Sequence, residues 1–152
     1  MNIFGKTLFA LTSLSMASLV YTHASAGVDR PAPERWSPMS NTSASITGSV
    51  KIGDGAIQFE NDQKIPVALD GVDGRFVLYR VTSFENPELL NGNTLCDSKP
   101  VQYVLAEVQD AGRQLTLTMI QSSMQPELKA IASANGGMPE GTCAIFTYFP
   151  SH

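Results

Sequence analysis

From residue 46 to residue 149 the chain repeats one pattern: short runs in which apolar and polar residues alternate, each closed by glycine, asparagine or aspartate. A two-residue period is the mark of strands with one face in a core and one toward water. Ile46, Gly48, Val50 and Ile52 alternate with Ser45, Thr47, Ser49 and Lys51, and Gly53-Asp54-Gly55 supplies a turn. Ile57 and Phe59 follow, then Asn61-Asp62-Gln63, then Ile65, Val67 and Leu69, with Asp70-Gly71-Val72-Asp73-Gly74 read as the closing turn. Further strands are expected over 75–83, 101–109, 114–121 and 142–149. The expected fold is all-β: a small antiparallel barrel or sandwich of about seven to eight strands, because closure removes sheet edges that would pair with other chains.

Two excursions interrupt the pattern. Asn86-Pro87-Glu88-Leu89-Leu90-Asn91-Gly92 has a capping Asn, a proline at the first helical position and a terminal glycine, and Gln125 to Gly137 repeats this with a longer body. One or two short helical insertions are expected there. Each precedes one of the two cysteines outside the leader, Cys96 and Cys143.

The first 26 residues read as an export signal: Lys6, an apolar run from Leu8 to Tyr21, and Ala24-Ser25-Ala26 before Gly27. The run is too short and too rich in hydroxyls for a membrane anchor. The expected organisation is a signal over 1–26, an extended lead-in over 27–42 that docks through Trp36, and one β domain over 43–152, either periplasmic or secreted. In an oxidising compartment the cysteines are expected to form a disulfide, which would gather the exits of both excursions at one end of the domain.

Charge and histidine content narrow the function classes. Cleavage would remove one of the 10 basic residues and none of the 14 acidic ones, leaving a net charge near −5. That sign argues against a nucleic acid or an anionic membrane as partner. His23 lies in the signal and His152 ends the sequence, so no histidine is placed to be oriented as a catalytic base. Two sulfurs without histidine make half a zinc site. Asp70 and Asp73 lack the spacing of a calcium loop, and Met39, Met119, Met124 and Met138 form no local copper motif, methionine being a common gap filler. No metal or cofactor is expected. Asn41-Thr42-Ser43 fits a glycosylation acceptor, relevant only in a eukaryotic secretory host.

The expected function is therefore binding, of an inhibitor-like kind, toward a protein or small ligand of the cell envelope. Its surface is expected on the excursions 84–100 and 122–141, with Glu85, Glu88, Asn91, Asn93 and Tyr148 as candidate contact residues. The late aromatics Tyr103, Phe146, Tyr148 and Phe149 are read mainly as core. Two alternatives stand beside this reading: a hydrolase using carboxylates such as Glu85, Glu88 or Glu107, and an envelope structural protein with no discrete site.

Overall fold

The computed structural model describes residues 35–53, 55–97, 99–134 and 137–151. The signal segment, Gly136 and His152 lie outside the described residues. Eight strands close into one antiparallel barrel in chain order: β1 (Arg35–Pro38), β2 (Val50–Gly53), β3 (Ala56–Phe59), β4 (Lys64–Asp73), β5 (Phe76–Val81), β6 (Tyr103–Gln109), β7 (Gln114–Ile120) and β8 (Thr142–Pro150). Each strand pairs with the next, and β1 closes the ring on β8 through Trp36↔Pro150 and Pro38↔Tyr148. Two short helices, α1 (Asn41–Ile46) and α2 (Leu128–Ser133), and one disulfide, Cys96–Cys143, complete the fold.

Every strand sends alternate side chains inward. Trp36, Val50, Ile52, Ile57, Phe59, Ile65 and Val67 meet Val77, Tyr79, Val104, Ala106, Leu115, Leu117, Met119, Phe146 and Tyr148 in one buried cluster, so the lumen is packed with side chains. Burying each large apolar side chain contributes ~1.5–3 kcal/mol, and this cluster is the main source of stability. A second, smaller cluster lies on the outer face. There Phe76, Leu78, Leu105 and Ile120 are covered by Ile131 of α2, with Leu128 and Ala132 packed beside it. Gly71 lets the helix come this close, since a Cβ there would fall 2.8 Å from Leu128 Cδ1.

The barrel begins at Arg35, earlier than the expected boundary at Ser43. The segment expected as a lead-in contributes β1, with Trp36 only 2% exposed. The first expected strand is shorter than its alternation suggests. Ser40 caps a helix instead, its Oγ accepting from Ser43 N at 3.1 Å, and Gly48 at φ +60 turns the chain into β2. Asp70–Gly74 is mostly strand, because a bulge between Leu69 and Gly71 absorbs the extra residue. Only Gly74 and Arg75 remain as the turn.

Candidate functional site

An up-and-down barrel sends alternate connections to opposite ends. One end, here called the turn end, holds the tight links between β2 and β3, β4 and β5, and β6 and β7. The connections 39–49, 60–63, 82–102 and 121–141 leave and re-enter the barrel at the opposite loop end, and the body of the last runs down the outer wall, where Gln125 meets Asp70 and Leu128 lies over Gly71. Both excursions therefore leave and return at the loop end, and the disulfide joins Cys96 of the first to Cys143 just after the second.

The polar residues of the first excursion hold its shape. Asn91 sits at φ 57 inside a short 3₁₀ turn, Leu90–Gly92, and its side-chain amide donates to Ser45 O at 2.9 Å. Asn93 donates to Leu90 O at 2.8 Å and to Ser45 O at 3.3 Å. Asn86 donates to Cys96 O, and Asn61 reaches across to Glu88 O. This lattice ties the excursion to α1 and to the β3–β4 turn. It also pins Leu89 and Leu95 into the core, each 3% exposed.

The second excursion makes a cleft. Residues 122–127 form an arch that leads into α2 on the barrel's flank, and Gln125 Nε2 anchors it on Asp70 Oδ2 at 2.8 Å. Between arch and helix lies a cleft of about 400 Å³, lined by Met124, Pro126, Ala130, Ile131, Met138 and Pro139 among others. Its polar rim includes Ser122, Gln125, Glu127 and Glu140. Met124 and Met138 are each 71% exposed, which is unusual for side chains that gain from burial. Phe84, at 79%, and Met39, at 58%, complete the set of the four most exposed large apolar side chains among the described residues, and all four lie on connections that leave the barrel at the loop end.

The structure sorts the residues expected at a contact surface. Glu85 and Glu88 are exposed on the first excursion. Asn91 and Asn93 lie there too, with amides committed to backbone carbonyls. Tyr148 is a correction: it is fully buried, and its hydroxyl meets Thr47 Oγ1 at 2.8 Å inside the barrel. Burial pushes that hydroxyl well above the ordinary tyrosine pKa, with the Thr47 bond pulling weakly the other way. Tyr148 alternates with the exposed Phe149, and its face of β8 turned out to be the inner one. In the sequence Met124 and Met138 read as packing or copper ligands, and the cleft between them has no motif that marks it. The one available signal was apolar residues in a turn-rich segment with no period to bury them.

The carboxylates do not converge. Glu107 lies toward the turn end, opposite Phe76, and pairs with Arg75 at 2.7 Å, whereas Glu85 and Glu88 leave from the loop end. No group of three His, Cys, Asp or Glu is placed to hold a metal among the described residues, and no described helix is long and apolar enough to cross a membrane. Comparison with protein-family models, with curated proteins and with solved structures yields no match.

Proposed function

We propose that this chain is an exported binding module that acts by occupying a partner, in the manner of an inhibitor, and that its contact surface is the β7–β8 excursion with its neighbours at the loop end. The observation that carries this reading is the placement of the four most exposed apolar side chains, Phe84, Met124, Met138 and Met39, on connections of that one end. Exposed apolar groups on a rigid scaffold lose their contact with water when a partner covers them, and unbranched methionine adapts to the shape it meets. A filled lumen favours this surface over an interior ligand. The export features of the first 26 residues and the disulfide support a periplasmic or extracellular setting.

The test uses residues 27–152 as bait in envelope extract, with chemical cross-linking and mass spectrometry. Three baits are compared: the native sequence, Met124→Asp with Met138→Asp, and Phe149→Ser on the outer face of β8. The expected result is a partner cross-linked to 82–102 and 121–141, lost with the double aspartate variant and kept with Phe149→Ser. Equal recovery by all three baits, or cross-links confined to the turn end, overturns the reading.

A further inference from the structure

The loop end carries charge as unevenly as it carries apolar surface. Its three long connections hold Glu85, Glu88, Asp97, Glu127 and Glu140. Against these five acids stand two bases, Lys99 and Lys129, leaving three net negative charges. The β3–β4 turn adds Glu60 and Asp62 with no base. At the turn end, among the described residues, Asp73, Glu107 and Asp110 stand against Arg75 and Arg113, and Arg75 is paired with Glu107, so that end is acidic by one charge. The connections that carry the exposed methionines are thus the more acidic ones. At the cleft itself Glu127 and Glu140 stand on the lining, and among the described residues no lysine or arginine does.

Resting on the reading above, we infer that the partner is a polypeptide presenting a basic face, with an apolar side chain that enters the Met124–Met138 cleft between flanking lysines or arginines. Charge complementarity selects the sign and speeds encounter, and the buried apolar anchor supplies the residence time. An aromatic anchor suits the site, because thioether sulfur makes favourable contacts with ring edges. The acidic field spans three separate connections, an extent that a polypeptide face matches and a single small cation does not. A second copy of this chain is the wrong partner for this end, since two faces of the same negative sign would meet.

The experiment uses protein with ¹³C-methyl methionine and three capped pentapeptide probes, Lys-Lys-Phe-Lys-Lys, Lys-Lys-Ala-Lys-Lys and Glu-Glu-Phe-Glu-Glu. The first probe is expected to shift the Met124 and Met138 methyl signals saturably, while buried Met119 stays fixed as an internal check on the fold. The alanine probe should bind at least ~5-fold more weakly, for want of an anchor. The glutamate probe should shift neither signal. Raising salt from ~20 to ~200 mM should weaken the first probe several-fold, as screening of exposed charges requires. Glu127→Gln with Glu140→Gln should weaken it by a similar factor without lowering Tm. Equal binding of the glutamate probe, or no shift with any probe, overturns the proposal. If no probe binds but a partner still cross-links to 121–141 in the test above, the assigned chemistry fails and the assigned surface stands.

Discussion

The hydroxyl of Tyr148 offers a sharp test of how the barrel is tied to the connection that bears α1. Thr47 Oγ1 lies 2.9 Å from Ser43 O and 3.3 Å from Gly48 O, both carbonyls that can only accept. The single threonine proton is thus spent on a carbonyl, so Tyr148 is the donor in the 2.8 Å contact between the two hydroxyls. The two halves of this pair are therefore unequal. Tyr148→Phe removes one hydrogen bond and leaves Thr47 still donating, at a cost of about 1 kcal/mol. Thr47→Val keeps the volume but strands a buried tyrosine hydroxyl and also removes the threonine's own bond, at a cost of about 2–3 kcal/mol. For about 120 residues, 1 kcal/mol moves Tm by ~4 °C, so calorimetry should show drops of ~4 °C and ~10 °C. The double variant should be more stable than Thr47→Val alone, because the stranded donor is gone. A drop for Tyr148→Phe equal to or larger than that for Thr47→Val refutes the assignment of donor and acceptor.

Three further outcomes follow from the same packing. The raised pKa of Tyr148 keeps it neutral in the fold, whereas the unfolded chain ionises from about pH 10. Its contribution is therefore complete below pH 10 and declines above it, by up to ~1.4 kcal/mol per pH unit, and subtracting the urea-unfolding profile of Tyr148→Phe from that of the native protein should isolate this slope; parallel profiles would count against it. Closing the 47-residue separation between Cys96 and Cys143 corresponds to about 4 kcal/mol on the chain-entropy model. Cys96→Ala with Cys143→Ala should accordingly lower Tm by ~15 °C, and a loss under ~4 °C would show that the bridge constrains little of the unfolded chain. Gly48→Ala places a Cβ within 2.5 Å of Glu60 Cβ at a φ of +60, and displaces the carboxylate that accepts from Ser49 N at 2.7 Å. The expected loss is ~2–3 kcal/mol by urea titration, and a loss below ~0.5 kcal/mol would mean that this corner is not under steric constraint.

Strands β3 to β8 were legible because each buries one face and shows the other to water or to α2, so the two-residue period survives in the sequence. β1 was not, since Arg35–Pro38 has neither the length nor the alternation of its neighbours, and only Trp36 betrayed the contact with the core. The helix over Asn41–Ile46 was hidden by a coincidence of phase. Ile46 and Gly48 continue the alternation of Val50 and Ile52 backwards, although the capping Ser40 and the left-handed Gly48 take the backbone out of the sheet. Asp70 misled for a different reason: aspartate beside glycine signals a turn in isolation, and a bulge accommodates the same pair inside a strand. For β8 the period separated Phe146 and Tyr148 from Ile145 and Phe149, but aromatic residues stood on both faces, so composition alone could not say which face was the core.

That last ambiguity explains why the expected contact residues and the observed cleft diverge. A candidate surface chosen by residue type gathers polar and aromatic side chains, and here those side chains are largely occupied with structure: Asn91 and Asn93 clamp a 3₁₀ turn, and Tyr148 anchors α1 from within. The groups left uncommitted are the ones that folding had no means to bury. Met124 sits on the arch and Met138 on the segment that returns to β8, with Ser122 and Gly141 in close approach where the two meet and α2 between them held by Ile131 in the outer cluster. An anchored apolar cleft meets a partner with little left to order, which lowers the entropic cost of association. On this argument Ile131→Ala should weaken partner binding with both methionines intact, because it loosens the helix that forms one wall of the cleft. Hydrogen exchange of residues 128–134 should rise in the same variant, and unchanged exchange with weakened binding would disconnect the wall from the site.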